Sequence, residues 1–286
     1  MLLLILKKGG SMKCKAMISI CAITIASALI LSCSKERAER IVIKGSTTVL
    51  PIAQKAAETF YEKTKIVISL SGTGSGDGIK SLIDGSCDIA TSSREMHKEE
   101  LALAKRKGEQ IKEIAIAFDM IIPIVHPSNP VSKLTLHQLK AIYEGSVKNW
   151  SDVGGNNETI VVISRDSSSG TFEVWESKVM KHVEVRKDAL LQASNGAIVQ
   201  AVSQNPKAIG YVGYGYLSEK VKPLYVNNVE PTIDNGKKGI YPIARKLYMY
   251  VNEIKTPKPA QDFIDFILSE EGQVIVKEAG FIPVKD

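Results

Sequence analysis

The feature that most constrains the fold is a pattern of strand, turn and helix that repeats three times between residues 41 and 106. Each unit begins with a short apolar run, continues with a turn, and ends in a segment with helical spacing of apolar residues. In the first unit Ile52, Ala56 and Phe60 recur every four residues, and Pro51 is compatible with the first turn of that helix. Strands that alternate with helices in this way predict an α/β unit with a parallel sheet.

A second series of the same kind follows residue 125. Across the whole chain the predicted strands are 41–43, 66–70, 88–91, 159–164, 208–212 and 241–251. The predicted helices are 52–60, 79–83, 98–106, 136–143, 170–180 and 196–203, with a helical region at 260–279. Residues 221–239 are polar and rich in turn residues, so they are a candidate crossing back to the first series.

Residues 114–125, IAIAFDMIIPIV, connect the two series and contain one acid, Asp119, and one proline, Pro123. The segment is compatible with a single long buried strand. We favour two strands with a crossing near residues 118–119, where the chain would pass from one lobe to the next.

The N-terminus has the pattern of a secretory signal. Lysines form a basic front, residues 16–31 carry no charge, and small residues precede Cys33. A transmembrane anchor is the alternative, but sixteen uncharged residues are short for a bilayer span. The cysteine makes residues 1–32 resemble a lipoprotein signal in which Cys33 is acylated, and 33–40 would be a tether. Met12 is an alternative start.

Charge and composition restrict the classes of partner that this chain could bind. The chain has a formal charge of +6, but four lysines and no acids lie in residues 1–32, so the remainder carries about +2. With no polybasic patch and only 6% aromatic residues, we expect no nucleic-acid partner. Beyond Cys33 the chain has only Cys87, which excludes an internal disulfide in the exported domain.

Three turns combine glycine with hydroxyl residues between a predicted strand and a predicted helix: 44–48 (KGSTT), 71–78 (SGTGSGDG) and 164–171 (SRDSSSGT). Free amides at a helix N-terminus favour an anion, hydroxyl groups add donors, and glycine permits close approach. A single turn of this kind is usually a helix cap. Three of them, one with Arg165 four residues before Ser169, indicate an oxyanion site.

Enzymatic alternatives find little support. The glycine-rich turn has no Gly-Lys-Ser/Thr ending, and it fails the dinucleotide pattern at Asp77 and Ile79. Ser169 is not in a G-x-S-x-G elbow, and the four histidines form no metal pair. Trp150 and Trp175 are interpreted as core or lobe-face packing. We therefore expect no catalysis, no cofactor and no metal.

Six motifs together resemble the phosphate-binding lipoproteins of bacterial ABC phosphate importers, over about residues 40–285. The motifs are Gly45–Pro51, Gly74–Ile79, Asp88–Arg94, Asn149–Trp150, Arg165–Thr171 and Ile209–Tyr211. The resemblance implies an α/β fold of type II periplasmic-binding-protein-like architecture, a two-lobed clamp in which each lobe is a mainly parallel sheet flanked by helices. Two strands would form the hinge. Lobe I would comprise 41–118 and 238–286, and lobe II 119–237.

Matching the motifs implies the residues that bind phosphate: Thr47, Thr48, Ser75, Ser93, Arg165, Ser169, Gly170 and Thr171. Residues around them would be Ser46, Gly76, Asp77, Arg94 and Asp166. Some family members have aspartate at the position of Ser93, where it accepts the proton of hydrogen phosphate; serine accepts less strongly. Arg94 could pair with the anion, with Asp77 or with Asp166.

The resemblance therefore implies high-affinity binding of inorganic phosphate and its delivery to the membrane permease subunits of an ABC importer. The protein would be a monomer, held at the membrane by its lipid, in the periplasm or on the outer face. The alternatives are the same clamp binding sulfate, molybdate or an organic phosphate and, with less support, a serine phosphatase.

Overall fold

A mixed β-sheet runs through residues 40–285, the part of the chain that this computed structural model describes. Its strands are β1 (Arg40–Gly45), β2 (Val67–Gly72), β3 (Ile89–Ser92), β4 (Ile111–Val125), β5 (Lys133–Leu134), β6 (Val161–Arg165), β7 (Leu190–Gln192), β8 (Ala208–Gly213), β9 (Lys222–Pro223), β10 (Tyr225–Val226), β11 (Ala244–Asn252) and β12 (Ile282–Pro283), of which β5 and β10 form a separate pair. The helices are α1 (Leu50–Thr64), α2 (Ser75–Ile83), α3 (Lys98–Arg106), α4 (Leu136–Glu144), α5 (Gly170–Trp175), α6 (Asn195–Ser203), α7 (Ile233–Lys237), α8 (Lys258–Leu268) and α9 (Glu270–Glu278).

The main path of the sheet has the order β2-β1-β3-β11-β4-β8-β6-β7. Strand β1 pairs in parallel with β2 and β3, and β6 pairs in parallel with β7 and β8. The central strands β4 and β11 are antiparallel to their neighbours. We call the half built on β1, β2, β3 and β11 lobe I, and the half built on β6, β7 and β8 lobe II. The fold is the predicted α/β clamp with a mainly parallel sheet in each lobe.

Strand β4 differs from the prediction. It is one uninterrupted strand of 15 residues, and the favoured division near residues 118–119 is wrong. Its residues 111–120 pair with β11, whereas 121–125 pair with β8, so the partner changes and the strand does not. Residues 119–125 of this strand are all buried, which suits a segment covered on both faces, whereas Lys112, Glu113 and Phe118 are exposed.

Each lobe has its own hydrophobic core. In lobe I, Phe60 of α1 packs edge-on against Phe263 of α8 with ring centroids 5.3 Å apart. In lobe II, Trp175 stacks on Tyr211 at 4.2 Å, and Trp150 is buried in the same cluster. Both tryptophans are therefore core residues, as predicted.

Two predicted helices are interrupted. The helix predicted at 170–180 continues after Trp175 as a π-helical turn, Glu176–Met180. The helical region at 260–279 is two helices, because Ser269 ends α8 and caps α9 by accepting from the Gly272 amide at 3.2 Å. The predicted crossing at 221–239 contains β9, β10 and α7.

The predictions for the signal, the acylated Cys33 and most of the tether lie outside the described residues; Arg40 already belongs to β1. Within 40–285 no helix is long and apolar enough to span a bilayer. Cys87 is a buried free thiol, and burial raises its pKa to about 12.

Candidate oxyanion-binding site

The eight residues predicted to bind the anion are all buried and lie at the carboxyl ends of parallel strands. Lobe I contributes Thr47 and Thr48 after β1, Ser75 at the start of α2 and Ser93 after β3, and lobe II contributes Arg165 at the end of β6 and Ser169, Gly170 and Thr171 at the start of α5. Crevices at these strand ends are where open α/β sheets bind ligands.

Three hydrogen-bonding contacts join these turns across the crevice. Thr48 Oγ1 lies 2.9 Å from Thr171 Oγ1. The Gly76 amide donates to the Ser168 carbonyl at 3.1 Å, and Ser168 Oγ, whose single hydrogen is shared with Asp166 Oδ1, lies 3.1 Å from the Thr73 carbonyl. The strand-end turns of the two lobes therefore meet, which is the closed arrangement of a clamp.

Gly170 is required at this meeting point. A Cβ atom on this residue would lie 2.5 Å from Ser75 Oγ and 2.9 Å from Ser93 Oγ. Only a glycine allows the backbone of α5 to approach two lobe I hydroxyl groups so closely.

Ser169 is the N-cap of α5. Its Oγ accepts from the Phe172 amide at 3.2 Å, and its carbonyl accepts from the Glu173 amide at 3.1 Å. The first turn of a helix has amides without intrahelical acceptors. Those of Gly170 and Thr171 are the donors that α5 can offer to an anion, together with the Ser169 hydroxyl hydrogen.

Arg165 is the cation at the end of β6, and it is 2% exposed. Its Nε donates to the Gln192 carbonyl at 3.0 Å and its Nη2 to the Ala193 carbonyl at 2.9 Å. Within residues 40–285, Nη1 has no hydrogen-bond partner. Burial lowers the pKa of this guanidinium, and Asp166 opposes the effect. Arginine keeps its charge under such shifts, so a buried positive group with one unused nitrogen remains.

Tyr211 holds the Arg165 backbone in place. The Tyr211 hydroxyl accepts from the Arg165 amide at 3.3 Å and lies 2.9 Å from Ser164 Oγ, while its ring stacks on Trp175. Burial raises the pKa of Tyr211 to about 12, so the group is a neutral phenol. The Ile209–Tyr211 motif therefore supports the arginine from the core of lobe II.

A second buried cation, Arg245 of β11, is not among the residues predicted from the sequence. Its Nε and Nη2 donate to Asp119 Oδ2 at 2.9 and 2.8 Å. Nη1 donates to Thr171 Oγ1 at 3.0 Å, and Nη2 also reaches Thr48 Oγ1 at 3.3 Å. Burial raises the pKa of the Asp119 carboxyl and lowers that of the Arg245 guanidinium, and the ion pair opposes both shifts. Two features of the sequence are compatible with this pair: Asp119 is the one acid in residues 114–125, and Arg245 lies inside the predicted strand 241–251.

Asn195 is also not among the residues predicted from the sequence. Its Nδ2 donates to Thr47 Oγ1 at 3.0 Å and to Thr48 Oγ1 at 3.1 Å, and its Oδ1 accepts from the Gly213 amide at 3.1 Å. The residue follows β7 and the helix cap Ser194, so it lies in a fourth turn of the strand, hydroxyl and helix type. Because β7 has only three residues, the sequence carries no clear strand signal before Ser194.

Ser75 and Ser93 form a second hydroxyl pair within lobe I. Their Oγ atoms are 3.3 Å apart, and Ser75 Oγ accepts from the Ser93 amide at 3.1 Å. The Ser93 carbonyl faces Arg245 Nη1 at 3.4 Å. The position at which some family members have an acid is thus at the crevice, beside the second cation.

Two of the partners predicted for Arg94, Asp77 and Asp166, are wrong, while its pairing with the anion stays a prediction. Its guanidinium forms a bidentate pair with Glu100 at 2.7 and 2.8 Å, and its Nε is 2.6 Å from Glu173 of lobe II. Asp77 is exposed, and Asp166 is occupied by the Ser168 amide and hydroxyl. Helix α3 begins just after Arg94 and places Glu100 within reach, which decides the pairing.

The remaining predictions have simple structural roles. Ser46 Oγ accepts from the Thr48 amide at 3.1 Å and so shapes the turn after β1. Gly76 makes the contact with Ser168 given above. In residues 40–285, no three His, Cys, Asp or Glu side chains are grouped so that they could hold a metal.

The fold and this set of converging donors define the class of two-lobed clamp proteins. A family model described as "PBP superfamily domain" matches residues 33–271. The chain is 32% identical over 274 residues to the phosphate-binding protein PstS of Borreliella burgdorferi, with 91% of this chain and 96% of the relative covered. It is 36% identical over 258 residues to the protein of the same name in Staphylococcus saprophyticus, with 85% and 80% covered.

Solved structures give the same result. One is a phosphate ABC transporter substrate-binding protein from Clostridium perfringens with bound phosphate, at 37% identity and a TM-score of 0.82, covering 86% of this chain and all of that one. Another is an ABC-type phosphate transport receptor from Vibrio cholerae, at 32% identity and a TM-score of 0.69, covering 85% and 99%. This chain belongs to the PBP superfamily and, within it, to the family of phosphate-binding proteins of bacterial ABC phosphate importers.

Proposed function

We propose that this protein binds inorganic phosphate outside the cytoplasm and delivers it to the permease of an ABC importer. The observation that carries the proposal is the meeting of strand-end turns from both lobes, one of which begins with the buried Arg165. Thr48 and Thr171 are in contact across the crevice, and Arg165 has an unpartnered nitrogen within the described chain. The relatives bearing phosphate-binding names support the identity of the anion.

The proposed binding residues are the eight predicted from the sequence. Hydroxyl and amide hydrogens would replace the hydration shell of the ion as the lobes close, and Arg165 would supply a formal positive charge. Charge-assisted hydrogen bonds contribute about 1.5–3 kcal/mol each. Several of them together offset the cost of dehydrating the anion.

The hinge of this motion would be formed by β4 and β11, which run through the centre of the sheet. Lobe I would comprise 41–118 and 238–286, and lobe II 119–237. The change of β4 partner between Met120 and Ile121 supports a boundary close to this position. Only the closed form would suit the permease.

The exported chain would begin at Cys33, acylated and anchored to the cell membrane after removal of the signal, and would act as a monomer. It would not be an enzyme: the relatives are named as binding and transport proteins. The Ser169 oxygen, the candidate nucleophile, caps α5.

One observation favours a second candidate, the same clamp with another oxyanion. Ser93 stands where some family members have an acid, so rejection of sulfate depends on a weaker acceptor.

Isothermal titration of the detergent-solubilised full chain with phosphate, sulfate and molybdate tests both candidates. We expect tight binding of phosphate, and we expect Arg165→Ala to abolish it, because this change removes the buried guanidinium whose Nη1 has no hydrogen-bond partner within residues 40–285. Arg106→Ala, which changes an exposed arginine at the end of α3, is the matched control. Unchanged phosphate affinity in Arg165→Ala contradicts the assignment of that residue, and tighter binding of sulfate or molybdate favours the second candidate.

A further inference from the structure

The hydroxyl groups of Thr48 and Thr171 are surrounded by groups that can only donate. Thr48 Oγ1 faces Asn195 Nδ2 at 3.1 Å and Arg245 Nη2 at 3.3 Å, and Thr171 Oγ1 faces Arg245 Nη1 at 3.0 Å. An arginine has no acceptor atom at all, and an amide nitrogen only donates. The directions of the hydroxyl hydrogens can therefore be deduced.

The orientation of the Asn195 amide is fixed by its other end. Its Oδ1 accepts from the Gly213 amide, which can only donate. The Nδ2 group must then be the one that faces Thr47 and Thr48. The side chain itself is fully buried at the start of α6, so no water competes for these bonds.

At Thr48, both lone pairs of the hydroxyl oxygen are occupied, one by Asn195 and one by Arg245. Its hydrogen remains, and the acceptor in contact is Thr171 Oγ1 at 2.9 Å. Thr48 therefore donates to Thr171.

At Thr171, the oxygen accepts from Thr48 and from Arg245, so its two lone pairs are also used. The Thr171 hydrogen is then the free group of the pair. This pair can offer one hydrogen to a ligand and can accept none.

The pair of Ser75 and Ser93 is different. Its known donor is the Ser93 amide, which occupies one lone pair of Ser75. If the two hydroxyl groups also bond to each other, two lone pairs and one hydrogen remain for a ligand. This side of the crevice can accept a proton that the other side cannot.

We propose that Asn195 and Arg245 are specificity-determining positioning residues that make the Thr48–Thr171 pair a donor-only wall, so that bound hydrogen phosphate turns its proton toward Ser75 and Ser93. The inference rests on the proposed phosphate function. It changes the role of Thr48 from direct binding to relay, because its hydroxyl hydrogen goes to Thr171 and its amide donates to Ser46, and it assigns direct donation to Thr171.

The first test is neutron diffraction of the deuterated protein, with and without phosphate. In any crystal with the lobes closed we expect the Thr48 deuteron on Thr171 Oγ1, and in the phosphate complex we expect the Thr171 deuteron on a phosphate oxygen. A Thr171 deuteron on Thr48 overturns the inference. If the protein binds no phosphate, the proposed function fails, while a phosphate-free crystal of the closed form still decides the arrangement of the hydroxyl groups.

The second test is calorimetry of Asn195→Ala with sulfate and with phosphate above and below its second pKa. The change frees one lone pair of Thr48, so the wall can also accept. We expect a loss of about tenfold for sulfate and for the phosphate dianion, and about threefold or less for the monoanion, which carries an additional proton. Asn157→Ala, at an exposed position, is the control. An equal loss for all three anions indicates a merely structural asparagine and overturns the inference, as does no loss at all.

Discussion

Two hydroxyl pairs face the same crevice but differ in what surrounds them. Thr48 and Thr171 come from different lobes and are flanked by Asn195 and by Arg245, itself paired with Asp119. Ser75 and Ser93 come from one lobe, and the donor known to contact their oxygens is a backbone amide. Because the flanking groups take up lone pairs, the same functional group becomes a pure donor in one place and a donor or acceptor in the other.

The residue type at a binding position therefore does not fix its role. Serine and threonine hydroxyl groups can both donate and accept, and buried neighbours decide between these options. The first pair joins the lobes, so it also couples closure to the orientation of its hydrogens. The second pair is complete before closure and is the part of the site that can discriminate between protonated and unprotonated anions.

Asp119→Ala should have the largest effect on stability, because it removes the counter-ion of Arg245, which contacts the pair of Thr48 and Thr171. The change leaves Arg245 buried without its counter-ion, and removing one partner of a buried ion pair costs about 3–5 kcal/mol of stability. Denaturant unfolding of the ligand-free protein measures this loss. Asp262→Ala, which removes an exposed pair with Lys258, should change stability by less than about 0.5 kcal/mol. Similar effects of the two changes would show that the central pair does not support the site.

Gly170→Ala should disturb the close approach of α5 to the pair of Ser75 and Ser93. The added methyl group would collide with Ser75 Oγ and Ser93 Oγ. We expect this collision to destabilise the closed form by about 2 kcal/mol, which lowers phosphate affinity about 30-fold. Calorimetry gives the affinity, and Gly196→Ala in α6, where an added Cβ meets only Ser194 Oγ at 3.9 Å, is the control. Full affinity in Gly170→Ala would mean that phosphate binds without this close approach.

Ser93→Asp should make the serine pair a stronger acceptor and so increase the preference of the site for phosphate over sulfate. A carboxylate accepts the proton of hydrogen phosphate but faces sulfate without any shared hydrogen, so we expect sulfate affinity to fall relative to phosphate by about tenfold or more. Thr171→Val removes the free donor of the other pair and should weaken both anions alike, by about tenfold. Competition of the two anions in each variant gives the ratio. An unchanged ratio in Ser93→Asp would place the proton of phosphate elsewhere.

Much of this site follows from local sequence. The turn after β1, the glycine-rich turn and residues 165–171 each combine a strand end, a helix start and hydroxyl groups within a few positions. Such local signals predicted α3 with its observed bounds, Lys98–Arg106, and identified eight candidate residues, all of which are buried at strand ends.

The missing residues depend on long-range pairing. Arg245 meets Asp119 because β11 pairs with β4 in one antiparallel register, 126 positions apart in the chain. No local pattern contains that register. The same limit explains the wrong division of β4: its partner changes at residue 120, and only the sheet order shows that the strand continues. Asn195 follows β7, which has only three residues and is a strand because it pairs with β6, so the local sequence does not indicate a strand end before Asn195.

A smaller effect is expected at the ion pairs that join the lobes away from the hydroxyl groups. Glu100 holds Arg94, which also contacts Glu173 of lobe II. Burial opposes ionisation of Glu100, but the Arg94 guanidinium and the His97 amide outweigh it and lower the pKa of the carboxyl below its usual value of 4.5. A lowered pKa means that the stabilisation is present above pH 4.5 and is lost as the pH falls through the folded-state value.

Glu100→Gln should therefore lower stability by about 1 kcal/mol at neutral pH and reduce this loss of stability at acid pH (the acid limb), as measured by urea unfolding across the pH range. Glu99→Gln, its exposed neighbour in α3, should keep the wild-type profile, and an unaltered acid limb in Glu100→Gln would assign the pH dependence to other carboxylates.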